Sequence, residues 1–467
     1  MSANLFDILA AGFPADLHKP CMILRDGREI SYGALKDGAA RVAALLIDKG
    51  VEPGERVAAQ VEKSPEAVML YLGTLMAGAV FVPLNTGYTP SEIEYFIGDA
   101  EPLVFVKDAV ALVADAQTYE PLTQGVPRDQ HNLASLIYTS GTTGRSKGAM
   151  LSHGNLASNA RAVCEAWGYT SDDVLLHALP IFHVHGLFIA MHCALLRGAP
   201  MLWLAKFDDA DVLAMLPRAS VMMGVPTFYT RLLSNPAFTK EAAAHMRLFV
   251  SGSAPLLPST FEEFEQRTGK RILERYGMSE AVVITSNPLN GERIAGSVGY
   301  PMPGVSLRVE GGEVGTIQIK GPSVFAGYWR MPDKTKAEFT EDGYFITGDV
   351  GRTDADGRVW ISGRAKDLII SGGYNVYPKE VELILDEMEG ITESAVIGCP
   401  HPDFGEAVVA VVEGGGDETA LINAARAHLA AFKAPKRIFF VEALPRNAMG
   451  KVQKNLLRDA YAKTFAS

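Results

Sequence analysis

The sequence predicts an α/β protein: a large N-terminal domain of stacked βα sheets with a small β-rich unit, then a small α+β C-terminal domain. Three observations predict it. Strand-like and helix-like segments alternate through most of the length, the order that builds parallel sheets covered by helices. From about Gly299 the pattern changes to short strands and turns. Beyond Arg364 helices and strands mix again, so the boundary is placed there, giving domains 1–364 and 365–467. A chain of 467 residues is long enough for two or three domains.

The elements follow in order. MSANLFDILAAGF reads as a capped helix; it is acidic and lacks the Arg-rich character of a transit peptide. RVAAQVEK is a strand, SPEAVMLYLGTLMAG a helix, AVFVPLN a strand and TPSEIEYFIGDA a helix. Ser64 and Thr89 stand where N-caps belong, with Pro65 and Pro90 in the first turn. PLVFVKD and LASLI are further strands, and Ser152 can cap a helix beginning near Asn155. The apolar run from Leu187 is interrupted by His192, Arg197, Gly198 and Pro200, so it reads as a buried helix and strand rather than a membrane span. After Asp211 the alternation resumes: helix DVLAMLP, strand SVMMGV, a helix from Pro226, strand LFVSG, helix PSTFEEFEQRTG and strand RILERYG. GVSLRVEGG, VGTIQIKG and GYFITGDVGRTDADGRVWISGR are the short strands of the β-rich unit. PKEVELILDEM, ESAVIGCP, AVVAVVEG, ALINAARAHLA and RIFFVEAL make the C-terminal α+β pattern.

Composition narrows the function. Apolar residues are 48% and charged residues 21% of the chain, the balance of a globular protein with a large core. A net charge of −11 argues against nucleic acid as a partner. The four cysteines, Cys21, Cys164, Cys193 and Cys399, are too scattered for a zinc site and too few for a disulfide framework, which fits a reducing, cytoplasmic setting.

One stretch demands a ligand. YTSGTTGRSKGA, Tyr138 to Ala149, lies between the strand LASLI and the helix capped by Ser152. Its glycines let backbone approach a ligand closely, and its amides, Ser140, Thr142, Thr143, Ser146 and Lys147 can donate to phosphate oxygens. The pattern is not the P-loop G-x-x-x-x-G-K-[ST]: Gly141 and Gly144 are three apart, and Gly148 follows Lys147.

Four further stretches accompany it: ERYGMSE (274–280), YFITGDVGR (344–352), GRAKDLIISGGYNVYPKEVE (363–382) and PRNAMGKVQK (445–454). In this order the five resemble the adenylate-forming superfamily of acyl-CoA synthetases, firefly luciferases and adenylation domains, over nearly the whole chain. The resemblance implies ATP, Mg²⁺ and CoA. It assigns Thr139, Ser140, Gly141, Thr142, Thr143, Gly144 and Lys147 to the β- and γ-phosphates of ATP. Tyr276 would stack on adenine, with the backbone of Ser253, Ala254 and Pro255 on the base's other side; Glu274, Gly277, Met278 and Ser279 join the nucleotide site, Ser279 assisting Glu280. Glu280, with Thr139, would serve Mg²⁺. Asp349 matches the ribose carboxylate and Arg364 a second ribose or phosphate contact. Gly372 and Gly373 would leave room for the pantetheine arm, and Lys366 matches the hinge of a mobile C-terminal domain. Lys451 would contact the substrate carboxylate and α-phosphate in adenylation, making Lys451, Lys147 and His183 the catalytic set.

The acid is argued separately. LPIFHVHGL brings His183 and His185 to the acyl region of this superfamily, with Ser251 beside it. SNPLNGERIAGSVGYPMPG, SGSAPL, GYWRMPDKT, GGYNVYPKEVE and LPRNAMGKVQKN resemble the malonyl-CoA synthetases in particular, which implies that Arg293 pairs with a second substrate carboxylate and that methylmalonate is tolerated. A short or aromatic monocarboxylic acid is the alternative, and a non-catalytic adenylate or acyl-ligand sensor the alternative of another class. No carrier domain follows the lysine motif, so free CoA is the expected thiol. Small molecules are the expected partners, without nucleic acid or membrane; the sequence leaves the oligomeric state open. The sequence departs from its relatives in having only twenty-odd residues between LVFVKD and LASLIYTSG.

Overall fold

The computed structural model describes residues 2–139, 146–372, 374–447 and 450–465. The chain divides into two compact units. The first takes Met1–Leu307, Ile319–Phe345 and Gly357–Val359; the second takes Arg308–Gln318, Ile346–Asp356 and Trp360–Ser467.

The first unit carries the expected βα alternation as two sheets. One has nine strands, with a parallel centre of Leu273–Tyr276, Leu248–Ser251, Val221–Gly224, Leu175–His177, Met201–Trp203 and Pro20–Leu24. Antiparallel strands close its edges: Thr285–Ser286 and Tyr300–Pro301 on one side, Glu29–Ser31 on the other. The other sheet orders Val104–Val106, Arg56–Ala59, Val80–Pro83, Leu133–Thr139 and Lys147–Ser152, the last pair antiparallel. Caps fall where the sequence places them. Ser64 and Thr89 accept from Ala67 and Glu92 amides, and Thr89 with Glu92 completes a capping box. Ser152 caps a helix that starts at His153, two residues before the expected Asn155. The helix Pro65–Met76 is buried at every position but Glu66, as its apolar run from Ala67 requires. Residues 117–132, the shortened segment, carry neither helix nor strand. No helix among the described residues is long and apolar enough to cross a membrane.

The β-rich stretch past Gly299 is a four-stranded sheet, Ser306–Glu310, Gly315–Lys320, Phe345–Thr353 and Val359–Arg364, most of whose residues belong to the second unit. The remainder of that unit centres on the long antiparallel pair Ile391–His401 and Gly405–Gly414. These strands are apolar through their centres, Ala395–Cys399 and Ala407–Val412, because both faces are covered there. Val396, Val408, Ala410 and Val412 pack with the helices Pro378–Leu385 and Glu418–His428; Ala395, Ile397, Val409 and Val411 pack with Leu444 and Leu457.

Candidate active site

Thr139 and Lys147 end and begin adjacent antiparallel strands and face each other across the ladder. The two ends of YTSGTTGRSKGA thus lie on paired antiparallel strands, and Lys147–Ser152 is a strand more than the sequence predicts. Ser140, Gly141, Thr142, Thr143 and Gly144 lie outside the described residues. Lys147 Nζ sits 3.2 Å from Glu338 Oε1 and 4.4 Å from the Tyr328 ring centroid. The Tyr328 hydroxyl lies 3.0 Å from Glu280 Oε1 and 2.8 Å from Glu338 Oε2, and its single proton can serve only one of them at a time. Burial, then the two carboxylates, push the Tyr328 phenol well up. Burial also pushes Glu338 up, but hydrogen bonds from Lys334 and Tyr328 and the charge of Lys147 outweigh it and hold the carboxyl below its ordinary value.

Glu280 is presented by a tight turn after the strand Leu273–Tyr276. The Ala281 and Val282 amides both donate to the Met278 carbonyl, and Val282, a β-branched residue, is held at φ 61°. Gly277 permits this turn, since a Cβ there would lie 1.9 Å from the Val282 carbonyl oxygen. Tyr276, Gly277, Met278 and Ser279 are half-buried and Glu280 buried. Ser253 is a second residue at positive φ, 71°, with its hydroxyl 3.2 Å from His185 Nδ1. Ala254 and Pro255 beside it are exposed. Glu274 Oε1 accepts from the Leu256 amide at 3.0 Å. Ser251 is fully buried, and its hydroxyl has no hydrogen-bond partner among the described residues. His183 is half-buried and accepts the His185 amide; His185 opens a π-helical stretch, His185–Met191, a form that recurs at functional sites.

Arg293 is half-buried, and its guanidinium donates to three backbone carbonyls, of Pro288, Arg271 and Leu289, at 3.1, 2.5 and 2.8 Å. In this state it braces its own loop.

The second unit carries the remaining motif residues. Asp349, 3% exposed, pairs with Arg364 Nε at 2.8 Å. Lys366 is exposed in the single turn Ala365–Asp367 that follows the strand Val359–Arg364. Gly372 is exposed at φ 59°, and Gly373 lies outside the described residues. Lys451 is exposed; its amide donates to Asn447 Oδ1 at 3.0 Å and its carbonyl accepts from the Asn447 amide at 2.9 Å.

Among the described residues no cluster of three or more His, Cys, Asp or Glu can hold a metal alone. A buried glutamate with a second carboxylate across a shared phenol suits Mg²⁺, which keeps several waters and takes its other oxygens from phosphates.

Two residues at positive φ and a carboxylate–phenol–carboxylate chain beside an α/β sheet suit an enzyme that handles a nucleotide. The family model for AMP-binding enzymes matches residues 11–329, and that for the AMP-binding enzyme C-terminal domain matches residues 380–451. The chain belongs to the AMP-binding enzyme family. It is 34% identical to the malonate–CoA ligase of Arabidopsis thaliana, over 98% of this chain and 89% of that one. It is also 34% identical to a long-chain-fatty-acid–CoA ligase of Bacillus subtilis, over 92% and 90%. Its fold matches ATP-bound MatB from Rhodopseudomonas palustris with a TM-score of 0.95 and 50% identity, covering 100% of both chains. Tyr328, Glu338 and Arg275 have no place in the sequence reading. Tyr328 and Glu338 stand in GYWRMPDKTKAEF, part of which contributed to the resemblance without a role, and Arg275 lies inside ERYGMSE.

Proposed function

We propose that this chain is a malonate–CoA ligase. It is an AMP-forming acid–CoA ligase that takes ATP and CoA. A malonate carboxylate oxygen bonds to the α-phosphorus of ATP and pyrophosphate leaves, giving malonyl-adenylate. The CoA sulfur then bonds to the acyl carbon, the acyl–phosphate C–O bond breaks, AMP leaves and the thiol proton goes to water. The observation that carries this reading is full-length likeness, at 50% identity, to MatB, together with the malonate–CoA ligase relative.

In this reading Thr139 and Lys147 frame the phosphate turn, and Tyr276 stacks on adenine beside Ser253 and Glu274. Asp349 and Arg364 hold the ribose. Glu280 would hold Mg²⁺, which offsets phosphate charge when bound. Lys451 neutralises charge at the α-phosphate during adenylation. His183 and Ser251 line the acyl end, and Gly372 admits pantetheine. The C-terminal domain, beginning after Arg364, rotates about Lys366 between the two steps. The enzyme works in the cytoplasm on small molecules.

The test is AMP formation with ATP and CoA, comparing malonate with propionate at equal concentration. Turnover confined to malonate is the expected result. Preference for propionate would keep the adenylation chemistry and discard the dicarboxylate.

A further inference from the structure

From Lys451 the chain runs within three residues into the helix Lys454–Tyr461. Around Lys451, Arg446 and Val452 bridge antiparallel, and the Gln453 amide donates to the Pro445 carbonyl at 2.7 Å. The Lys451 backbone is therefore tied to the first turn of that helix and goes where the helix goes. One face of the helix is apolar. Leu457 is buried with Ala395, Val411 and Leu444, and the Tyr461 ring stacks on Phe439 with centroids 4.4 Å apart. Such contacts are non-directional, so they hold the helix down but fix its rotation and axial position weakly.

Charge supplies what packing does not. Lys454 and Arg458 lie one turn apart on an adjacent face. Lys454 Nζ reaches Glu382 Oε1 at 2.5 Å; that buried carboxylate oxygen also accepts the Val396 amide at 2.9 Å. Arg458 Nη2 pairs with Oδ1 of the half-buried Asp367. The two anchors stand on different elements, Glu382 on the helix Pro378–Leu385 and Asp367 in the single turn Ala365–Asp367. Asp367 directly follows Lys366, the residue assigned to the hinge. Enclosed ion pairs are directional and contribute little net stability, so their use here is to define one seating of the helix.

We propose that Arg458, through Asp367, is a positioning residue for Lys451: it seats the helix that sets where the Lys451 ammonium stands, and joins that seating to the hinge turn. This rests on the reading above, in which Lys451 serves adenylation and Lys366 the hinge. The effect of Arg458 reaches the chemistry through Lys451 alone. Its removal costs the attack of malonate on ATP and spares the attack of CoA on malonyl-adenylate.

The experiment times two steps: pyrophosphate release from ATP and malonate, and malonyl-CoA formation from supplied malonyl-adenylate and CoA. It compares the wild-type chain with Arg458→Met, Arg458→Lys, Asp367→Asn, Lys451→Ala and the double variant Lys451→Ala/Arg458→Met, each verified as folded by thermal unfolding. Arg458→Met should slow pyrophosphate release roughly 10- to 100-fold and leave malonyl-CoA formation within about threefold. Arg458→Lys keeps a cation and should restore part of the rate. The double variant should be no slower than Lys451→Ala, because a residue that acts through Lys451 then has nothing left to position. Unchanged pyrophosphate release in Arg458→Met, equal slowing of both steps, or a further loss in the double variant overturns the assignment. Should Arg458→Met not fold, Asp367→Asn removes the opposing charge and should slow pyrophosphate release alone; the wild-type rate there is equally fatal. A wild-type chain that releases no pyrophosphate with malonate refutes the malonate reading itself, before any variant is made.

Discussion

Lys147 and Lys451 are both assigned to phosphate chemistry, and the two units hold them in opposite ways. Lys147, in the first unit, has a side chain only 13% exposed, ion-paired to Glu338 and laid over the Tyr328 ring. Lys451, in the second, is exposed on a turn whose backbone is pinned by Asn447 and by Arg446, which pairs with Glu393 and with Glu413. On the proposed mechanism, the cation that would meet the ATP phosphates is pre-positioned by side chains of its own unit. The cation proposed to enter for adenylation alone is held through its backbone, with its side chain at the surface.

The largest expected effect tests that contrast directly. Lys451→Ala should slow adenylation on the order of 10²–10³-fold, leave the unfolding transition unchanged, and spare thioester formation from supplied malonyl-adenylate. Lys147→Ala should slow adenylation and also destabilise the fold by about 1–2 kcal/mol, because Glu338 then keeps only Lys334 and Tyr328 among the described residues. Equal stability of the two variants would break the comparison; pyrophosphate release at the wild-type rate by Lys451→Ala would remove the lysine from the mechanism.

The two units also differ in their buried titratable groups. The first buries His153, His177, His185 and His192. Burial holds His153 at about 4 and His192 at about 3, and His177 and His185 well below the ordinary value. The unfolded chain binds protons that these imidazoles refuse. Their stability contribution is therefore complete above about pH 6.5 and lost as pH falls toward the folded values. Between pH 6.5 and 5 the loss is about 2 kcal/mol for His153 and likewise for His192. Thermal unfolding of the first unit should move to lower temperature over that window, and a flat profile would contradict their burial as neutral groups.

What was legible in the sequence follows the same division between local and distant causes. Caps such as Ser64 and Thr89 and the alternation of strands and helices are local patterns and read correctly as elements, and the five motifs are local patterns that pointed to the family. The strand Lys147–Ser152 was missed because Gly148 and the short apolar run dilute its pattern; its partner across the turn supplies what propensity does not. Tyr328 and Glu338 were missed because their partners, Glu280 and Lys147, are far away in sequence. Arg275 carried no signal of its own. An arginine in a strand ending at Tyr276 reads as an edge cation until the structure buries it.

The smallest effect sharpens the comparison because its sign is reversed. In the second unit His428 is exposed and His401 only half-buried, whereas Asp386 has a buried Oδ1 with no hydrogen-bond partner among the described residues. Burial raises its carboxyl to about 6. A folded value above the unfolded one means the folded state takes up the proton first, so this contribution is complete below the unfolded value and is lost as pH rises through about 6. Acidification from pH 6.5 to 5 should therefore stabilise the second unit by about 1 kcal/mol while it weakens the first. Hydrogen exchange read on peptides from each unit separates the two. Protection should rise around the helix Pro378–Leu385 and fall around His153 and His192. Asp386→Asn, neutral at every pH, should abolish the rise and leave the fall; a rise that survives the substitution would assign it to another group.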